Sequence, residues 1–334
     1  LTENQDLCGS AQSESAENPR PSGAESDESG SEDTACAQAA RSGEPSGAVS
    51  DDEQAACRLV DGCVRFDQGE PHRIVERVAL EVPVSISFNG IYYNVLSCTP
   101  CDFEDIAYGV AYSAGFITSA DDVRSVEVTQ LTNAYQIDVI LKTRGGFDYS
   151  SFMLSSISGV PIRDAEVRLP SYFPAHMVHI GPMSPIPPQA ITAASNGLLE
   201  RQGMHRRTGA THAAAFVDRE GAFRFMSEDI GRHNAVDKLI GRLVRNRVDP
   251  LSGFAFLSSR CALELVNKLA RYGIGVVATV SAPTSAVIDF ALEANVTLCA
   301  FSRGNRFTVY THPERIAIDC DGADDDEKRP VREV

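Results

Sequence analysis

Thr208–Lys238 reads TGATHAAAFVDREGAFRFMSEDIGRHNAVDK, and the fold turns on how this stretch is read. Two polar clusters, Thr208-Gly-Ala-Thr-His212 and Glu228-Asp-Ile-Gly-Arg-His-Asn234, flank a short predicted β-hairpin. Ala213 to Val217 is too uniformly apolar for a half-exposed strand and reads as a buried one. Asp218 to Gly221 supplies turn residues, and Ala222 to Met226 returns. From Val236 the spacing changes: Val236, Leu239, Ile240, Leu243 and Val244 fall at i, i+3, i+4, i+7 and i+8, one face of a helix. Hairpin and helix thus bring a Gly-Thr-His corner beside an Arg-His-Asn corner. Polar residues concentrated at element ends suit a ligand site. A pair of capping turns would use the same residue types, and the stretch alone leaves both readings open.

Downstream the pattern alternates strand and helix. Gly253 to Leu257 reads as a buried strand, and Leu263, Val266, Leu269 and Ala270 mark a helix stopped by Gly273. Ile274 to Val280 is a β-branched central strand. The turn from Ser281 to Ser285 leads into a helix through Ala294. Val296 to Phe301 and Phe307 to Tyr310 are two more strands, joined by a polar turn from Ser302 to Arg306. Such alternation predicts an α/β domain with a mixed, mostly parallel sheet covered on both faces, and ligands of such sheets bind beyond the carboxyl ends of the strands. Upstream, Val78 to Phe88 and Ile91 to Leu96 form a hairpin at Asn89-Gly90. Thr99-Pro100-Cys101-Asp102 has the form of a capping box opening a helix, with Phe103, Ile106, Ala107, Val110, Ala111 and Ala114 as its buried stripe. Val126 to Thr129 and Tyr135 to Leu141 complete a small α+β subdomain over 58–170. An irregular segment from Pro170 to Pro188 links it to the second domain, 171–318.

Charge is distributed unevenly. The first 57 residues carry thirteen acidic and two basic side chains and few large apolar ones, so 1–57 reads as a disordered acidic tail. Residues 319–334 form a second acidic tail with seven acidic and three basic side chains. The body between them is close to neutral and has room for a local cationic pocket. No basic run interleaved with aromatics suggests nucleic-acid binding, and no apolar run approaches a membrane span. No basic segment followed by an apolar one suggests secretion, so a cytoplasmic location is expected. Nine cysteines at irregular spacing do not suit a disulfide framework, and Cys261 and Cys299 read as small buried hydrophobes.

Three loops are expected at one sheet edge: Ser258-Ser-Arg260, Ser281-Ala-Pro-Thr284, and Phe301, Ser302, Arg303, Gly304, Asn305 and Arg306. Free N–H groups at the helix entered from Ser281 and Thr284, with the guanidinium groups of Arg303 and Arg306, suit a phosphorylated ligand. Ordinary capping and turn chemistry would explain each loop taken singly.

Several words of this chain resemble one family, the formate dehydrogenase accessory sulfurtransferases (FdhD). They are Glu81-Val-Pro-Val84, Asn89-Gly90, Thr99-Pro100 with Asp102, Gly209-Ala-Thr-His-Ala-Ala-Ala215, Glu228-Asp-Ile-Gly-Arg-His-Asn-Ala-Val-Asp-Lys238, Ser281-Ala-Pro-Thr284, Phe301 to Arg306 and Tyr310-Thr-His312. The resemblance spans about residues 66 to 316, in order, and its longest word is highly specific. It implies a homodimer with a cytidine-deaminase-like second domain. It also implies sulfur transfer from a cysteine desulfurase to the bis-molybdopterin guanine dinucleotide form of the molybdenum cofactor, destined for a molybdenum-dependent formate dehydrogenase. The implied nucleotide end lies at Phe301 to Arg306, with Thr208, Gly209, Thr211, His212, Arg232, His233, Asn234, Ser281 and Thr284 as further binding candidates. Zinc is not expected: His212-Ala-Ala lacks His-x-Glu, and no Pro-Cys-x-x-Cys follows.

The chain departs from that family at its sulfur-carrying loop. A Cys-Gly-x-Cys-Gly pattern is implied, and the corresponding segment here is Ser155-Ser156-Ile157-Ser158-Gly159. Neither Ser155 nor Ser158 can carry sulfane sulfur, because a hydroxyl forms no persulfide. No cysteine lies between Cys101 and Cys261. A second pair, Cys98-Thr-Pro-Cys101, stands at an expected helix N-terminus, where the dipole lowers a thiol pKa. Two half-buried thiols at a cap are the plain reading of that pair, and substitute redox or persulfide thiols the other. Three functions remain: sulfur transfer in support of formate dehydrogenase, a cofactor-binding or escort module without sulfur chemistry, and a Cys98–Cys101 dithiol redox protein.

Overall fold

The computed structural model describes residues 56–142, 178 and 180–317, which hold twelve strands and six α-helices. The expected sulfur-loop position at Ser155 and Ser158 and the acidic tail at 319–334 lie outside them. So does the N-terminal tail, except Ala56 and Cys57.

The described chain begins with a hairpin, β1 (Cys57–Asp67) and β2 (Glu70–Ala79), that forms a two-stranded sheet of its own. A four-stranded sheet follows, from β3 (Val82–Phe88), β4 (Ile91–Cys98), β5 (Val123–Gln130) and β6 (Tyr135–Leu141) in the order β4-β3-β6-β5. Its middle pair is parallel and its outer pairs are antiparallel. In β3 the alternation puts Val84, Ile86 and Phe88 in the core, while Ser85 and Ser87 stay half-buried. Asn89 and Gly90 both take positive φ, 50° and 77°, as a tight two-residue hairpin turn requires. Helix α1 (Phe103–Ala114) connects β4 to β5 and buries Ile106, Ala107, Val110, Ala111 and Ala114.

The second half begins with α2 (Pro188–Arg201) and α3 (Gly203–Thr208). The hairpin β7 (His212–Asp218) and β8 (Phe223–Asp229) follows, closed by Asp218, whose Oδ1 accepts from the N–H groups of Glu220 and Ala222. Then come α4 (Arg232–Arg245), β9 (Gly253–Leu257), α5 (Leu263–Tyr272), β10 (Val276–Thr279), α6 (Ser285–Glu293), β11 (Thr297–Arg303) and β12 (Arg306–Val309). These strands form one sheet in the order β12-β11-β10-β9-β7-β8.

Side chains of alternate parity leave that sheet for two different cores. Ala214, Phe216, Ala255, Leu257, Val277 and Leu298 join α1, α4, α5, α6 and the four-stranded sheet in one continuous cluster. Ala213, Ala215, Phe254, Phe256, Ala278 and Cys299 face the other way, onto Ile191, Ala194 and Leu198 of α2. Helix α4 lies within the larger cluster, and from Asn234 to Val244 only Arg242 escapes full burial.

Helices α1 and α4 touch backbone to backbone. A Cβ on Gly109 would fall 1.7 Å from the carbonyl oxygen of Asp237, and one on Gly241 would fall 1.8 Å from that of Asp105. Charges then clamp the contact: Arg242 Nε donates to Asp105 Oδ2 at 2.7 Å and Nη2 to Asp102 Oδ1 at 2.9 Å.

Several expectations need correction. The sheet is parallel only across β9, β10 and β11, and its remaining pairs are antiparallel, so it is mixed without being mostly parallel. Val78 belongs to β2, which the single strand expected from Val78 to Phe88 ran together with β3. The capping box at Thr99 does not form: α1 starts at Phe103 after Asp102 in a left-handed conformation, with no side-chain cap. Thr99 is committed elsewhere, its N–H and Oγ1 both donating to Asp229 Oδ2. The polar turn expected over Ser302–Arg306 shrinks to Gly304 and Asn305, because β11 runs on through Arg303 and β12 begins at Arg306. Helices α2 and α3 and the β1–β2 hairpin were not anticipated.

Gly109→Ala and Gly241→Ala must each drive the two helix backbones apart. Each is expected to cost about 3 kcal/mol or more in urea unfolding, well above the ordinary helix gain of alanine over glycine. Stability equal to wild type in either variant would contradict the contact.

Candidate functional site

The Glu228–Lys238 stretch folds into a buried polar centre. Asp229 and Lys238 form an ion pair at 2.8 Å, both side chains fully buried. Asp229 Oδ2 accepts from Thr99 N at 3.1 Å and Thr99 Oγ1 at 2.8 Å, and Oδ1 from Gly231 N and Asn234 Nδ2. Lys238 Nζ donates to Thr99 Oγ1 at 2.8 Å and to Cys101 Sγ at 3.5 Å. Burial works against the ammonium, yet Asp229, followed by the neighbouring thiols, carries its pKa above the ordinary lysine value. This network joins the segment between β4 and α1 to the start of α4.

Glu228 does similar work one residue earlier. Its carboxylate accepts from the N–H groups of Met204 and His205 and from Thr211 Oγ1, the last at 2.7 Å. Those two N–H groups belong to the first turn of α3, so the carboxylate caps that short helix and fixes the loop after it. Gly209 then ends α3 in a left-handed conformation, φ 68°.

Between α2, α3 and the strand ends lies a cavity of about 400 Å³. Its apolar lining is Leu198, Leu199 and Val280, and its polar lining includes Ser195, Gln202, His205, His212 and Ser258. Ser258 Oγ accepts from Ala213 N at 2.7 Å, which ties the end of β9 to β7. Desolvation, with Arg232 and His205 nearby, holds His212 below the ordinary imidazole pKa, so its ring is neutral at pH 7. Arg303 Nε donates to the carbonyl oxygen of Val280 at 3.0 Å and so stands beside the cavity lining.

The sequence-derived candidates divide accordingly. Gly209, Thr211 and His212 line the cavity, although the Thr211 hydroxyl is consumed by Glu228. Thr208 Oγ1 is bound to Met204 O within α3. Asn234 is structural, held by Ser97 O and Asp229. His233 turns toward Glu264 of α5, with Nε2 to Oε2 at 3.4 Å. Arg232 keeps a buried Nε without a hydrogen-bond partner. Ser281 O accepts from Phe301 N at 3.1 Å, and Thr284 caps α6 without a side-chain bond. Ser302 is 1% exposed in β11, its carbonyl taken by Ser195 Oγ, while Phe301, Arg303, Gly304, Asn305 and Arg306 are exposed. Phe301 has φ 52°, an uncommon conformation for an aromatic residue, and is 43% exposed. Ser195, Gln202 and His205 were missed, because no motif marks them.

Of the two readings of Cys98 and Cys101, the structure favours plain buried thiols over substitute redox or persulfide thiols. Both are buried and unbridged. Desolvation pushes Cys98 up to about 12, and it raises Cys101 as well. The same cause takes Cys261 and Cys299, buried as expected, to about 12. Among the described residues no group of three or more His, Cys, Asp or Glu is placed to hold a metal ion. No helix among them is long and apolar enough to cross a membrane.

Fold and site together define a mixed α/β protein with a cavity at the strand ends of its larger sheet, closed by a helix pair and bordered by an arginine-bearing turn. Residues 79–317 match the FdhD/NarQ family, and the chain belongs to it. It is 36% identical over 245 residues to a sulfur carrier protein FdhD of Bordetella petrii, covering 73% of this chain and 87% of that protein. It is 38% identical over 260 residues to a sulfur carrier protein FdhD of Burkholderia mallei, covering 75% and 95%. A crystal structure assigned to a formate dehydrogenase accessory protein of Desulfotalea psychrophila has the same fold. It superposes with a TM-score of 0.62 at 22% identity, over 78% of this chain and all of that one.

Lys238→Met strands a buried carboxylate and is expected to cost about 3–5 kcal/mol of folding stability, part of it restored by Asp229→Asn in the same chain. A loss below 1 kcal/mol would show that the pair is not closed to water. Alkylation at pH 8 read site by site is expected to leave Cys98, Cys101, Cys261 and Cys299 unmodified until denaturant is added. Labelling of the native chain at Cys98 or Cys101 would restore the activated pair.

Proposed function

We propose that this chain is a cytoplasmic, homodimeric accessory protein of a molybdenum-dependent formate dehydrogenase. In this reading it seats the guanine-nucleotide end of the bis-molybdopterin guanine dinucleotide cofactor, its cargo, at the ends of β9, β10 and β11. One observation carries the reading: the chain matches proteins named as sulfur carriers over 87–95% of their length. The chemistry of the edge supports it. Arg303 and Arg306 offer guanidinium groups to a pyrophosphate, Phe301 offers an exposed ring for stacking, and the cavity behind Val280 is large enough for one heterocycle.

Within that role, holding or escorting the cofactor is better supported than sulfur transfer from a cysteine desulfurase. Serine occupies both positions, 155 and 158, where the family resemblance implies a sulfur-carrying cysteine. The thiols of Cys98, Cys101, Cys261 and Cys299 are buried and raised in pKa, which disfavours the thiolate that sulfur exchange needs. Sulfur transfer stays as the second reading on the strength of the relatives' names.

Complementation separates the two. Expressed in a strain lacking its own family member, this chain is expected to leave formate dehydrogenase inactive, and the Ser155→Cys, Ser158→Cys double variant to restore activity. Full activity from the unmodified chain would establish a sulfur route through other residues. For the seat itself, Arg303→Ala is expected to weaken GDP binding severalfold in calorimetry. An unchanged dissociation constant would place the nucleotide elsewhere.

A further inference from the structure

A second cavity opens at the other end of β9. Ser258, just past the end of that strand, lines the cavity already described, whereas Pro250, before its start, lines this one. Its volume is about 370 Å³, and three helices build its walls: Tyr112 of α1, Val244 of α4 with Val248 just beyond, and Tyr272 of α5. The two tyrosine rings meet edge to face, centroids 5.5 Å apart. Tyr272 Oη donates to the carbonyl oxygen of Val248 at 2.6 Å, and Tyr112 Oη to that of Arg271 at 3.4 Å. Both phenols are thus tied to backbone, which fixes their rings as largely apolar wall.

Two charges accompany this wall. Among the described residues that line the cavity, Asp121 and Arg247 alone are charged. They pair in solvent, Arg247 Nη2 2.8 Å from Asp121 Oδ1, with side chains 72% exposed for the arginine and 70% for the aspartate. The helix end that carries Arg247 is uncommon. Helix α4 closes with Arg247 N bound to Val244 O and Val248 N to Leu243 O, which puts residue 247 in the left-handed region, φ 52°. Glycine is the default residue there, and an arginine adopts that conformation only at a cost. In return it sets a guanidinium beside the cavity, which glycine would not.

We infer that this cavity is a second ligand site and takes a free α-amino acid with a large apolar side chain. The side chain fills the space between Tyr112, Tyr272, Val244 and Pro250, the carboxylate meets Arg247 and the ammonium meets Asp121. An exposed ion pair contributes little by itself, so its two members turn to a ligand at small cost. A zwitterion gives each of them a counter-charge at once. A carboxylate or an amine alone breaks the pair and satisfies one half of it. Affinity then comes chiefly from burying the apolar side chain, because solvent screens both charges. The site is independent of the proposed cofactor seat, which lies at the opposite end of β9.

The test is calorimetric titration of the full chain with L-phenylalanine and L-leucine, beside 3-phenylpropionate, phenethylamine and L-alanine. Phenylpropionate lacks the ammonium, phenethylamine lacks the carboxylate, and alanine lacks the large side chain. Phenylalanine or leucine is expected to bind with a sub-millimolar dissociation constant, and the three truncated probes about tenfold more weakly or less. Arg247→Gly keeps the left-handed backbone and removes the guanidinium, and Asp121→Asn keeps the shape and removes the charge. Both positions are exposed, so both variants are expected to melt within a few degrees of wild type and to bind GDP as wild type does. Each is expected to weaken the amino acid about tenfold. A wild type that binds neither amino acid at millimolar concentration overturns the inference. So does phenylpropionate or phenethylamine that binds as tightly as phenylalanine, or a pair of variants with undiminished affinity. Phenylalanine bound without GDP removes the seat and keeps this site, and GDP bound without either amino acid removes this site alone.

Discussion

Two glycines decide how the molecule is put together. Gly109 in α1 and Gly241 in α4 let the helices meet with no side chain between them, each α-carbon against a carbonyl of the other helix. Everything around the contact is arranged by that distance. Helix α1 is anchored to the four-stranded sheet and α4 to the six-stranded one, so their approach is what makes a single core of the two sheets. The same approach brings Thr99, just before α1, within reach of Asp229 and Lys238. Residues more than a hundred positions apart can then share one proton network.

That network explains why so polar a stretch as Glu228–Lys238 lies in the interior. A buried ion pair gives little net stability over an apolar replacement, because both charges are stripped of water. What it supplies here is orientation. Besides its ion pair with Lys238, the carboxylate of Asp229 accepts four hydrogen bonds, and three of those donors are fixed by backbone or by the first turn of α4. Glu228, its neighbour, grips α3 and the loop to His212. Two adjacent carboxylates, pointing to opposite faces of β8, thus hold α4 on one side and the cavity cover on the other.

Much of this was legible in the sequence where periodicity was strong. Val236, Leu239, Ile240, Leu243 and Val244 announced α4, Asp218–Gly221 announced its turn, and the β-branched run before Ser281 announced β10. Helix α2 was hidden because only two large apolar residues, Ile191 and Leu198, mark its buried face beside Ala190 and Ala194, and the rest includes Thr, Ser, Asn and Gly of poor helix propensity. The β1–β2 hairpin was hidden because none of its side chains becomes fully buried, so no clean alternation is written into it. Thr99 misled through a local signal, a capping pattern, that a partner 130 residues away outcompetes. The candidate site was half legible. Its glycines, histidines and arginines stood out as residue types, but a single glutamine such as Gln202 carries no pattern until burial shows that its amide is unpaired.

The two faces of the large sheet are not equally held. One face is continuous with most of the protein's apolar interior, whereas the other is closed chiefly by α2 and a smaller group of side chains that ends at Ile186 and Ile316. Local opening takes the path of least buried area. The α2 side is therefore the face expected to open first, with amide exchange faster in that cover than in α4.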